Sequence, residues 1–159
     1  MAVAKALTSY EIERNKPMPN RIHGQIQGDL LFLLNLNYRE KFDFSSEVSL
    51  DTIPPSTPDI GIFPTKQLDI QEVEAKETEP PITTIEIQSP SQSPDELVKK
   101  AYKRYFPMGV QSAWVVLPAL KAIQVLLPDN RKILFSEGQL KDPVTDIQVD
   151  IKEVFRKLK

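Results

Sequence analysis

Two spacings of apolar residues run along this chain. From Asn20, an N-cap by type, Ile22, Ile26, Leu30, Leu33 and Leu34 recur at intervals of three and four up to about Tyr38, which predicts the first major helix. Gly24 and Gly28 inside it either weaken it or let another element pack closely. From Asp95, the residues Leu97, Val98, Ala101, Tyr102 and Tyr105 fall within one arc of a helical wheel, with Lys99, Lys100, Lys103 and Arg104 on the opposite side. Ser93, or Asp95 after Pro94, supplies the start of this helix, and Pro107 with Gly109 its end. Ile151, Val154, Phe155 and Leu158 predict a closing helix over 150–158. Thr8 or Ser9, followed by Glu11 and Glu13, opens a short lead-in helix over 8–14 that Pro17 and Pro19 break.

Elsewhere the spacing falls to two. Phe42, Phe44, Val48 and Leu50 predict a first strand over 42–50, with Glu47 on the face opposite Val48. After a turn at Pro54-Pro55 comes the short run Ile60-Gly61-Ile62-Phe63, and after a polar connection over 64–81 the β-branched run over 82–88. Residues 113–117, 122–127 and 131–135 read as further strands, the last two joined by the Pro128-Asp129-Asn130 turn. Trp114 reads as a core or platform aromatic, since no second aromatic flanks it for base stacking. The pattern describes an α/β chain: a mixed central sheet flanked by the 20–38 and 95–106 helices, in one domain over 1–159 with 1–19 as a lead-in.

Composition narrows the class without naming a chemistry. A hydrophobic share of 40% with 26% charged residues is that of a soluble globular domain, and no stretch is long and apolar enough to span a bilayer. The first residues lack a signal-peptide pattern, and the cytoplasm is the default location. With no cysteine, disulfides, thiolate metal sites and thiol nucleophiles are excluded. A net charge of −2 does not advertise nucleic-acid binding, but the acids are concentrated in 66–79 while Lys99, Lys100, Lys103 and Arg104 cluster in the next helix. No internal repeat, Gly-rich phosphate loop or Ser-His-Asp arrangement is present.

The candidate chemistry lies in the run Ile82-Thr83-Thr84-Ile85-Glu86-Ile87-Gln88-Ser89-Pro90-Ser91. A carboxylate inside a β-branched strand is unusual, and by alternation Glu86 and Gln88 emerge side by side. A second acid, Asp59, follows Pro58 at the head of another apolar run. Antiparallel pairing across 64–81 would bring the two carboxylates together, close enough to hold one divalent cation and to perturb each other's ionisation by mutual repulsion.

Pro58-Asp59 followed by Glu86-Ile87-Gln88 resembles the PD-(D/E)XK nuclease motif. Taken with Ser89-Pro90-Ser91, the following helix and Gly109-Val110-Gln111-Ser112-Ala113-Trp114, the order is similar to the Uma-type family of bacterial restriction endonucleases, from about His23 to the C-terminal helix. The resemblance implies a restriction-endonuclease-like fold and hydrolysis of DNA phosphodiesters, with Mg²⁺ or Mn²⁺ held by Asp59 and Glu86. Gln88 stands where the superfamily motif carries lysine. In the Uma-type family a lysine of the following helix takes its place. Counting forward from Ser89-Pro90-Ser91 reaches Lys100, whereas counting back from Tyr105 and Gly109 reaches Ala101, as if one residue were inserted between the anchors. Lys100 is the residue assigned. His23, the sole histidine, opens a His-x-x-Ile-Gln pattern similar to the start of the family's first helix. It is read either as a group beside the carboxylates or substrate, or as a histidine bonded to a local carbonyl or solvent. Glu47 is read as lying by the metal or as a solvated strand residue, and Lys99, Lys103 and Arg104 as contacts to DNA or as a solvated basic face. A homodimer is one of the states the sequence allows. Two other functions stay open: a degenerate nuclease fold serving as a DNA-binding or protein-interaction module, and a metal-dependent hydrolase of a non-nucleic substrate.

Overall fold

Asn20 opens the first helix by accepting the His23 backbone N–H at 2.8 Å on its side-chain oxygen, and α1 runs over Arg21–Tyr38. The computed structural model describes residues 6, 16–72 and 75–159, so the lead-in helix expected over 8–14 lies outside the described residues. Ile26, Leu30 and Leu34 of α1 are fully buried. Among the described residues nothing stands within 4 Å of where a Cβ on Gly24 or Gly28 would be, so these glycines serve no close approach to them and weaken the helix.

The sheet takes its strands in sequence order: β1 (Phe42–Ser46), β2 (Ile60–Pro64), β3 (Thr83–Ile87), β4 (Ser112–Leu117), β5 (Ala122–Leu126) and β6 (Lys132–Phe135). Every neighbouring pair is antiparallel except β3 and β4, which run parallel. A parallel pair needs a crossover, and the second helix supplies it. The sheet is therefore mixed and flanked by helices, as expected, and its mostly antiparallel strands make the architecture α+β-like.

That second helix, α2, begins at Pro94–Lys100, capped by Ser93 accepting the Glu96 N–H at 3.2 Å. It widens into a π turn over Ala101–Tyr105, where the Phe106 N–H reaches back five residues to the Ala101 carbonyl, and closes with an α turn over Phe106–Met108. Pro107 has no N–H to offer the Lys103 carbonyl, so an undisturbed α-helix could not run through it. Gly109 ends the helix at φ +116°, a conformation that suits only glycine, and its N–H satisfies the Phe106 carbonyl.

The two helices cover opposite faces of the sheet. Ile26, Leu30 and Leu34 pack with Ile60, Ile62, Ile85, Ile87, Trp114 and Val116 on one face. Leu97, Ala101 and Tyr105 pack with Ala113, Val115 and Leu117 on the other. Alternation along β3 thus sends Ile85 and Ile87 toward α1 and leaves Glu86 on the α2 side.

Three expectations change. The strand predicted over 42–50 stops at Ser46, because Glu47 turns to φ +56° and takes the chain out of the sheet. The apolar alternation through Val48 and Leu50 simply carries on past the break. The helix predicted over 150–158 shrinks to α3 (Ile151–Val154), capped by Asp150. A two-stranded hairpin, β7 (Gln139–Lys141) with β8 (Gln148–Asp150), was not predicted: each strand has three residues, too few to display a period. Its turn carries Asp142, fully buried, which accepts from Ser112 Oγ and Trp114 Nε1, both at 2.7 Å, and from the Val144 and Thr145 N–H groups. Trp114 is accordingly a core residue with its N–H satisfied.

Candidate active site

All five residues of β3 are buried, and Glu86 among them is 3% exposed. A carboxylate so placed is tolerated only when its charge is answered. Two side chains of α2 answer it. Lys100 Nζ lies 3.0 Å from Glu86 Oε1, and the Tyr105 hydroxyl donates to the same oxygen. Burial, then the charges of Glu86 and Asp59, push the Tyr105 hydroxyl well above the ordinary phenol range, so it stays protonated and donates.

The π turn makes this double contact feasible. Residues five apart on an α-helix point about 140° away from each other. The widened turn between Lys100 and Tyr105 brings both to one oxygen. Lys100 therefore leaves the solvated face where a uniform helical wheel puts it. Lys99, by contrast, pairs at 3.1 Å with Asp95 in the open, and Lys103 is exposed. Lys99, Lys100, Lys103 and Arg104 together line a groove of about 340 Å³.

Asp59 stands one residue ahead of β2. The antiparallel register pairs Ile60 with Ile85, and one further step sets Asp59 across from Glu86. Its carboxylate is 1% exposed, and its two oxygens have different partners. Oδ2 accepts the Ile87 N–H at 2.7 Å and faces His23 Nε2 at 3.1 Å. Oδ1 accepts from Lys16 Nζ at 2.5 Å, and the same ammonium donates to the Thr57 carbonyl at 2.9 Å. Burial pushes the Asp59 carboxyl up, but the His23 hydrogen bond and the Lys16 charge outweigh it, and its pKa is lowered to about 2. The expected perturbation by mutual repulsion of the two carboxylates is thus not what governs Asp59: each acid has its own cation.

Of the other sequence candidates, His23 is 5% exposed and bonded to Asp59, the first of its two readings, with Nδ1 buried and unpartnered among the described residues. Glu47 lies outside the strand expected to present it, yet its backbone N–H donates to the Asp59 carbonyl at 3.1 Å. Gln88 does not emerge beside Glu86 as part of the strand, which ends at Ile87. Its amide donates to the Gln92 carbonyl at 2.8 Å, closing the turn after β3, and it lines with His23 a cleft of about 430 Å³. Two participants were missed. Tyr105 served in the sequence only as a member of the apolar arc of its helix and as a counting anchor. Lys16 sits in a proline-rich lead-in with no periodicity, and its one signal is its place shortly before His23.

The donors at this site are hard oxygens: the carboxylates of Asp59 and Glu86 on neighbouring strands, with the Thr57 carbonyl beside them. No group of three or more His, Cys, Asp or Glu side chains gathers round one point among the described residues. The Lys16 ammonium already acts as a stand-in cation against two of these oxygens, so the set fits Mg²⁺ or Mn²⁺ by chemistry. No helix among the described residues is long and apolar enough to cross a membrane.

The chain is similar in fold to a solved structure from Anabaena variabilis described as "a putative nuclease belonging to DUF820", with a TM-score of 0.71 and 24% identity over 88% of this chain and 83% of that one. No curated protein matches the chain. The family model Uma2, described as "Putative restriction endonuclease", matches residues 7–151. With that match spanning the sheet, both covering helices and every residue of the carboxylate cluster, the chain belongs to the Uma2 family of restriction-endonuclease-like nucleases.

Proposed function

We propose that this protein is a Mg²⁺- or Mn²⁺-dependent endonuclease that hydrolyses DNA phosphodiester bonds at the Asp59–Glu86 pair. The reading is supported by two buried carboxylates set across from each other by the β2–β3 register, with one lysine of the crossover helix, Lys100, on Glu86. Asp59 and Glu86 would hold the ion, which supplies a bound water of lowered pKa and neutralises charge gathering on the phosphate. His23 and the Ile87 N–H fix the orientation of Asp59, and Tyr105 fixes that of Glu86. Lys100 provides the positive charge that Gln88 lacks, available to a phosphate oxygen at the mouth of the groove it shares with Lys99, Lys103 and Arg104. Those neighbours engage the DNA backbone through charge alone, independent of sequence.

The test is nicking of supercoiled DNA with Mg²⁺, with Mn²⁺ and with chelator, by the parent protein and by Asp59→Asn. Cleavage confined to the metal lanes of the parent is expected. Equal cleavage by Asp59→Asn would assign any activity to another site or to a contaminant.

A second reading has an observation of its own. Both carboxylates are neutralised within the chain, by Lys16 and by Lys100, as in a nuclease fold that has given up its metal and serves as a DNA-binding module. Calorimetric titration with Mn²⁺ separates the two: the degenerate module takes up no ion.

A further inference from the structure

We infer that Lys16 is an internal counter-cation that closes the carboxylate site, and that it leaves Asp59 when a divalent ion enters. The inference rests on the metal-site reading above and adds to it a means of control. Lys16 Nζ lies 2.5 Å from Asp59 Oδ1 and 2.9 Å from the Thr57 carbonyl, and the residue is 8% exposed. The ammonium thus takes the oxygens that suit a hard cation, in a place from which solvent is largely excluded.

Three features make it a removable plug rather than a fixed strut. Lys16 belongs to no helix or strand, since residues 16–20 run irregularly into α1, so withdrawing it unmakes no regular hydrogen bonding. The two Asp59 oxygens divide their partners: the Ile87 N–H and His23 hold Oδ2, and the carboxylate stays aimed while Oδ1 changes its cation. Charge supplies the third. Asp59 with Lys16 and Glu86 with Lys100 are two neutral pairs, and a divalent ion added to both would leave two uncompensated positive charges in a buried site. One ammonium must go. Lys100 is held in place by α2, whereas Lys16 is held by its two acceptors, so Lys16 is the one displaced.

Two measurements on the full chain test this. In the parent protein, acylation of lysines by acetic anhydride, read by mass spectrometry, is expected to be slow at Lys16 without metal and to approach the rate of exposed Lys99 and Lys103 on addition of Mn²⁺. In calorimetry, Lys16→Met is expected to bind Mn²⁺ about tenfold more tightly than the parent, as a competitor for two oxygens is lost, with circular dichroism checking that it folds. If Mn²⁺ binds but Lys16 stays protected, or Lys16→Met binds no more tightly, the plug is overturned and the metal site stands. If neither protein binds Mn²⁺, the metal site falls and the plug falls with it.

Discussion

Replacing Lys100 by Met removes one ammonium and keeps nearly the whole length of the side chain, so packing along α2 is held while the charge on Glu86 goes unanswered. At 3.0 Å, with side chains 11% and 5% exposed, the pair sits where screening by water is weak. Its gross attraction at an effective dielectric of 20 is about 5 kcal/mol, much of it spent on desolvation. Taking away one partner of such a pair costs about 3 kcal/mol in stability, the low end for buried pairs because the Tyr105 hydroxyl still donates to Glu86. For a chain of this size that lowers the melting temperature by roughly 10 °C. A positioned charge at the scissile phosphate contributes a similar amount to the transition state, so cleavage by folded Lys100→Met should fall roughly a hundredfold. Metal binding should not weaken, since no oxygen donor is lost. Lys99→Met and Lys103→Met are the controls: Lys99 holds only an exposed pair with Asp95, so each should leave the melt nearly unchanged and weaken DNA binding alone. Thermal melts, calorimetry and plasmid nicking on the three variants give the answer. Equal, small effects from all three would refute the reasoning and reduce α2 to a solvated basic face.

Two further outcomes are expected. Asp59 has its pKa lowered from the ordinary 3.8 to about 2. Its ionised form therefore contributes stability that is fully present above pH 4 and is lost as the pH falls through about 2. The contribution is about 2 kcal/mol, and the difference in stability between the parent and Asp59→Asn, followed by denaturant melts from pH 5 to pH 2, should shrink by that amount; a constant difference would contradict the assignment. Asp142→Ala strands the Trp114 N–H in the core, together with two backbone donors of the hairpin turn, and leaves the Ser112 hydroxyl with Thr83 as its partner. It should cost about 3 kcal/mol or more, and a melt within a degree of the parent would show that the network is dispensable.

What the sequence made legible follows from length and period. Helix α1, with its Asn20 cap, and the strands around Glu86 and Trp114 carry enough residues to express a spacing, and the tie of Asp59 to β3 followed from reading the connection over 64–81 as antiparallel. What was hidden depends on single residues or on short elements. Glu47 adopts a left-handed conformation that no alternation of side chains reveals. The hairpin at 139–150 is held by the buried Asp142 carboxylate together with Leu140, Ile147 and Val149 in the core, in strands too short to display a period. Lys16 is placed by tertiary contact alone, in the segment read only as a lead-in. The carboxylates were visible because a strand rarely carries one; of their cations Lys100 was reached only through the resemblance and Lys16 not at all, because lysine is common everywhere.

The π turn of α2 has a consequence for how this helix can change. Each residue added to an α-helix advances the azimuth of everything after it by about 100°, so a helix fixed at both ends does not ordinarily tolerate insertion or deletion. Here the first half has its phase set by the Ser93 cap and by Lys100 on Glu86, and the second by Tyr105, the Gly109 cap and the entry into β4. Ala101–Tyr105 couples the two halves while letting each keep its own angle. A change of length by one residue is thereby confined to a single turn, and the lysine and the tyrosine can be handed on together to Glu86 even when their separation along the chain is not the one an unbroken helix would impose.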